Sequence, residues 1–232
     1  GKFKLNDPVY KYIPEFKNLT VKKRKKTKPV KNHVKIIDLL RHSAGLNFKG
    51  PDDYRKVIDL SLEEYTKESI KSPLKFEPGT TWWYSYATDI CGYLIEVLSQ
   101  EKLDVFLKSR IFDPLEMNDT FFELPNSKLD RLTTLYVVDE NKELVSFDNK
   151  TNTPFKDKVI LLNGSGGLLS TTDDYLKFSF MLLNNGLYNE KQIIKKETLD
   201  LMKEDHSLGL KYKKLAFGKK KGFGLGFEVV KE

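Results

Sequence analysis

The sequence has one cysteine, Cys91. No internal disulfide can therefore form, which excludes a disulfide-stapled fold and favours a reducing compartment, leaving localisation otherwise open. As a residue type, a lone cysteine most often fills a small apolar niche. Histidine is also scarce: His33, His42 and His206 are the three. None stands in a His-Glu-x-x-His or paired-cysteine spacing, so no metal is expected, and no motif calls for a cofactor. No run of about eighteen apolar residues occurs, so no spanning helix is expected, and no apolar segment with a small-residue cleavage site opens the chain. Gly164-Ser165-Gly166-Gly167 lacks the following Lys-Ser/Thr of a phosphate-cradling loop. There is no internal repeat and no clean domain boundary.

What the chain does have is length and charge. Its 232 residues, 39% of them apolar, suffice for one packed domain. Basic residues number 40 against 33 acidic, for a net charge of +7. One segment, Lys22-Lys23-Arg24-Lys25-Lys26-Thr27-Lys28, holds six of them. It lies within residues 17–32, read as a solvated basic insertion loop. A nuclear address or a polyanion contact is the other reading, but no aromatics are interleaved for base stacking, so nucleic acid is not favoured.

Residues 4–16 read as a proline-punctuated connector. Ile36, Ile37, Leu39 and Leu40 crowd one face of a short helix that Gly45 would stop. A weaker helix is expected over residues 60–70, then a structured loop through Pro73 and Pro78. Ile90, Leu94, Val97 and Leu98 have helical spacing, as do Leu103, Phe106 and Leu107 before Pro114. Residues 132–145 read as a strand pair around Asp139-Glu140-Asn141-Lys142. Thr172 reads as the N-cap of a helix ended by Gly186, and residues 222–230 as a single strand.

Four stretches taken in order carry a family likeness. They are Leu39-Leu40-Arg41-His42-Ser43-Ala44-Gly45-Leu46; Phe76-Glu77-Pro78-Gly79-Thr80 with Trp83-Tyr84-Ser85; Ile111-Phe112-Asp113-Pro114-Leu115-Glu116-Met117; and Gly164-Ser165-Gly166-Gly167-Leu168-Leu169-Ser170-Thr171. Together they resemble the serine β-lactamase, class C and penicillin-binding-protein-like family, including its carboxylesterase members. The likeness spans the chain apart from the basic insertion and residues 136–158. It implies an α+β fold of the β-lactamase/transpeptidase type, in which helices cover an antiparallel sheet beside a mostly helical insertion. It also implies acyl transfer through a serine on a small-molecule ester, amide or β-lactam.

In that family a Ser-x-x-Lys, a Tyr-x-Asn loop and a Lys-Thr-Gly-like or His/Trp-x-Gly strand meet at the active site. Tyr84-Ser85-Tyr86 is the one element the resemblance locates here. It implies that Tyr84 is the general base or proton relay and places Tyr86 as the substrate-binding residue. A tyrosine with a pKa of about 10 is a poor base at neutral pH and needs a neighbouring cation. Tyr86 stands where many members have asparagine, and a hydroxyl offers one donor where an amide offers two. Glu116 and Gln100 stand where glycine is more usual. The likeness places Ser-x-x-Lys before Gly1 and the third element after Glu232, so residues 1–232 are expected to be a single domain truncated at both ends and inactive alone. Ser72-Pro73-Leu74-Lys75, Ser99-Gln100-Glu101-Lys102 and Lys220-Lys221-Gly222 match active-site motifs only by composition. His42, within a Leu-Leu-x-His-x-x-Gly turn, is read as structural rather than as a catalytic base. The alternative to a hydrolase is a non-catalytic binding or scaffolding relative.

Overall fold

The computed structural model describes residues 1–46, 59–212 and 221–230. The connector is more regular than its prolines suggest, with 3₁₀ turns at Val9–Lys11 and Pro14–Asn18 that bury Val9 and Phe16. The basic segment is not a loop. It forms an antiparallel hairpin of β1 (Thr20–Lys23) and β2 (Lys26–Pro29), with Arg24 at a φ of 56° in the turn. β-branched Thr20, Val21 and Thr27 favour extended backbone, and Val21 anchors the pair by burying its side chain.

Four helices build the main core. In α1 (Ile36–Leu40), Ile36 and Leu39 turn inward. α2 (Leu62–Ser69) starts with a capping box in which Ser61 and Glu64 exchange hydrogen bonds at 2.8 and 3.3 Å. α3 (Ala87–Ser99) buries Ala87, Ile90 and Leu94 along one stripe. α4 (Leu103–Leu107) follows it and runs into a π-helical turn, Lys108–Phe112. Gly92 lets α3 and α4 approach, since a Cβ there would lie 3.0 Å from Leu103 Cδ2.

A second core gathers Phe112, Leu115 and Met117 against Met181 of α5 (Thr172–Leu183). The cap of α5 is Thr171, one residue before the expected Thr172; its hydroxyl accepts from the Asp174 amide at 3.3 Å. Gly186 ends the segment at a φ of +86° as expected. α6 (Lys196–Lys203) buries only Leu199.

Strands pair in two-stranded ladders. β4 (Leu135–Val138) and β5 (Leu144–Asp148) are the expected antiparallel pair. β6 (Leu187–Tyr188) and β7 (Lys191–Gln192) form another. The segment read as one strand near the C-terminus is a hairpin of β9 (Lys221–Phe223) and β10 (Glu228–Val230), because Gly224 and Gly226 turn the chain between them. Among the described residues the one parallel ladder joins β3 (Thr81–Trp82) to β8 (Lys211–Tyr212). A third small core of Trp82, Leu210 and Phe223 forms beside it.

Candidate active site

Tyr84-Ser85-Tyr86 bridges the end of β3 and the start of α3. Its position is fixed by the turn after α1. Trp83 N–H donates to the His42 carbonyl at 2.9 Å, and Gly79 N–H to the Ser43 carbonyl at 2.9 Å. That turn is itself braced. Buried Asp38 accepts from Arg41 Nη2 at 2.9 Å, from the Ser43 hydroxyl at 2.7 Å and from the Lys35 amide at 3.0 Å. Arg41 Nη1 reaches across to the His206 carbonyl at 2.9 Å. Gly45, at a φ of +83°, brings the turn so near Phe76 that a Cβ would lie 2.4 Å from its carbonyl oxygen.

The structure turns Tyr84 outward, with half of its surface exposed. Its ring lies on the His42 imidazole at 4.5 Å between centroids and near Trp82 at 6.4 Å. His42 is buried beneath it, with the Phe223 ring edge-on at 5.4 Å and Trp82 at 6.1 Å. Its Nδ1 accepts from the Ser85 N–H at 3.4 Å, which puts the proton of a neutral ring on Nε2. Burial lowers its pKa to about 4, so the imidazole under Tyr84 is uncharged at neutral pH. Sequence reasoning assigned His42 a structural part but not this contact. The only signal was the Leu-Leu-x-His-x-x-Gly turn, which carries no information on what the ring touches.

Tyr86, expected to face substrate, is turned into the core. Its hydroxyl donates to the Ser69 carbonyl at 2.9 Å, and its ring meets Tyr65 edge-on at 6.2 Å. A tyrosine reaches farther than an asparagine, and this one spends that reach on the end of α2. One turn later, buried Asp89 accepts from the Ser165 amide at 2.7 Å and from the Tyr65 hydroxyl at 3.5 Å. Burial raises the Asp89 carboxyl, against the lowering by the Ser165 amide and hydroxyl, the Tyr65 hydroxyl and the Gly164 amide. The glycine-rich turn is thus a structural partner of α3. A Cβ at Gly164 would lie 2.6 Å from the Thr88 carbonyl oxygen.

The two internal Ser-x-x-Lys matches are held elsewhere. Ser99 closes α3 at the far end, roughly 20 Å along the helix from Tyr86. Its hydroxyl donates to the Ile95 carbonyl at 2.7 Å. Ser72 lies in a loop, and Lys75 Nζ sits 4.0 Å from the centre of the Trp83 ring. In the third match, Lys220 lies outside the described residues, while Lys221-Gly222 belongs to β9. Among the described residues, no cluster of three or more His, Cys, Asp or Glu side chains could hold a metal. Nor is any described helix long and apolar enough to cross a membrane.

Among curated proteins, an uncharacterised protein of Mycobacterium tuberculosis is 28% identical over 246 residues, covering 99% of this chain and 61% of that protein. An Escherichia coli protein with the provisional name D-alanyl-D-alanine carboxypeptidase is 29% identical over 236 residues, covering 90% of this chain and 52% of its own length. The chain therefore spans between half and two thirds of these relatives. Among solved structures, EstCE1, described as a hydrolase with promiscuous acyltransferase activity, superposes with a TM-score of 0.76 at 23% identity, over 100% of this chain and 64% of that one. An octameric penicillin-binding protein homologue from Pyrococcus abyssi gives 0.69 at 23% identity, over 98% and 48%. Both share the fold: mixed helices and antiparallel strands of the β-lactamase/transpeptidase type. The beta-lactamase family model matches residues 1–231, and with the motifs and the fold in agreement this chain belongs to the beta-lactamase family.

Proposed function

We propose that these residues form the tyrosine-bearing wall of a serine hydrolase site that transfers an acyl group from an ester, amide or β-lactam through an acyl-serine. The observation that carries this reading is Tyr84, half exposed and held on a buried neutral imidazole at the mouth of α3. A proton relay needs a solvent- or substrate-facing hydroxyl on a ring that does not wander, and this arrangement supplies both. The nucleophile and its lysine are not among residues 1–232 in the family's register, so the hydroxyl has no serine here to deprotonate. We infer that the chain alone does not turn over ester or β-lactam substrates. Tyr86 then serves by fixing the first turn of α3 rather than by touching substrate.

The test has two parts. The isolated chain should leave chromogenic ester and β-lactam substrates uncut. In a protein joining these residues to a Ser-x-x-Lys segment, Tyr84→Phe should lower kcat by about 10²–10⁴ with an unchanged unfolding midpoint. Turnover by the isolated chain that Tyr84→Phe abolishes would refute the first part. Equal rates for the joined protein with and without Tyr84→Phe would refute the second. The inward Tyr86 favours a second reading, a binding relative without chemistry, and acyl-enzyme formation detected by mass spectrometry in the joined protein would exclude it.

A further inference from the structure

We propose that the β1–β2 hairpin is an electrostatic finger that docks on an anionic phospholipid bilayer. The hairpin is fixed to the core at its root. Lys22 N–H donates to the Leu74 carbonyl at 2.8 Å, Leu74 N–H to the Thr20 carbonyl at 2.7 Å, and Val30 N–H to the Leu19 carbonyl at 3.1 Å. Val21 and Leu74 are both buried there. Beyond that root every residue from Lys22 to Pro29 is exposed.

The register distributes the charge all round the finger. Lys23 stands opposite Lys26, and Val21 opposite Lys28, so Lys23, Lys26 and Lys28 share one face. Lys22, opposite Thr27, points to the other, while Arg24 and Lys25 make the turn. Directly opposed lysines lie about 5 Å apart at Cβ, and like charges in that relation destabilise a ladder. Several lysines elsewhere are neutralised: Lys67 has Glu15 and Glu63, Lys177 has Asp174, and Lys196 and Lys203 share Asp200. Among the described residues, none of the six cations in residues 22–28 has a carboxylate within ion-pair distance. An ordered finger of uncompensated like charges is relieved by an external polyanion.

The placement selects which kind. A linear polyanion lying along one face would leave the cations of the other face and the turn unmet. The segment also has no aromatic ring on which a base could stack. Headgroup phosphates surround an inserted tip on every side, and the absence of apolar residues in 22–28 suits the interface rather than the acyl layer.

The test is co-sedimentation of the chain with vesicles of phosphatidylcholine alone and of phosphatidylcholine mixed with phosphatidylserine, at low and high salt, with duplex DNA as the competing probe. Binding should require phosphatidylserine, weaken with salt, and fall roughly fivefold for each Lys→Gln change. Replacing Lys23, Arg24, Lys25 and Lys26 together by glutamine should remove it with an unfolding midpoint no lower than the parent's, since the opposed like charges of Lys23 and Lys26 are also relieved. The charge-preserving set Lys23→Arg, Lys25→Arg and Lys26→Arg should retain it. Equal binding to both vesicle types, or full binding by the glutamine variant, would overturn the proposal. So would tight hairpin-dependent binding to DNA with vesicles ignored, which would assign the finger to nucleic acid.

Discussion

Asp38→Asn is the sharpest probe of how the Tyr84 segment is held. The carboxylate is 2% exposed and accepts three hydrogen bonds, from Arg41 Nη2, the Ser43 hydroxyl and the Lys35 amide. Asparagine keeps the shape but removes the charge and puts an NH₂ among donors. Breaking a buried pair from one side costs about 3–5 kcal/mol. The Arg41 side chain is 17% exposed, so its orphaned charge is partly hydrated and the lower end, about 3 kcal/mol, applies. At about 2–4 °C per kcal/mol for a chain of this size, the unfolding midpoint should fall by roughly 6–12 °C. Thermal unfolding followed by circular dichroism reads this directly. Arg41→Met should also destabilise, but the double variant should recover part of the loss, giving a coupling of about 1 kcal/mol or more in a double-mutant cycle. A midpoint within about 1 °C of the parent, or strictly additive losses, would refute the claim that this pair braces the turn.

Three further outcomes follow from other sites. His42 is neutral in the folded state, with a pKa lowered from 6.5 to about 4. The unfolded chain therefore takes up a proton first as pH falls; stability is full above about pH 6.5 and declines toward pH 4, by about 3 kcal/mol for this group. Urea unfolding of parent and His42→Gln across that window checks it, and an equal slope in both would sink the assignment. Glu116 holds a φ of 57°, which a side chain adopts at a cost of about 1–2 kcal/mol. Glu116→Gly should therefore stabilise by about 0.5–1 kcal/mol once the looser unfolded chain is allowed for, and a lowered midpoint would contradict it. Burial, with Asp89 adding to it, pushes the Cys91 thiol up to about 12. Thiol reagents at pH 8 should then label the native chain slowly and the urea-unfolded chain at once, and equal rates would be the contrary result.

Sequence read the helices well wherever side chains repeat at helical spacing, as Ile90 and Leu94 do on α3. It found the β4–β5 pair but missed the pairing within the basic segment and within residues 221–230. The basic segment has no alternation to betray a hairpin, because its cations occupy both faces and only Val21 is buried. The turn within residues 222–230 was hidden in a glycine-rich run that equally suits one strand. Family likeness pointed to Tyr84, and its glycine preference at residues 100 and 116 matched two left-handed positions, with φ of 64° and 57°. The inward path of Tyr86 was not legible, since its partner Ser69 sits on another helix and no local pattern links them. The same holds for the imidazole under Tyr84, a contact across 42 positions of chain (84 − 42).

The small core beside Tyr84 joins Trp82 to Leu210 and Phe223, residues 128 and 141 positions later (210 − 82 and 223 − 82). During synthesis at about 5–20 residues per second, roughly 7–28 s separate the appearance of the indole from that of the ring that covers it. Until then the floor of the Tyr84 segment is an open apolar surface on a nascent chain. Phe223 meets both His42 and Trp82, so those two rings lack this cover until residue 223 emerges. Chaperone engagement of this chain should therefore concentrate on stalled nascent chains ending before residue 210 and drop once residue 223 has cleared the ribosome.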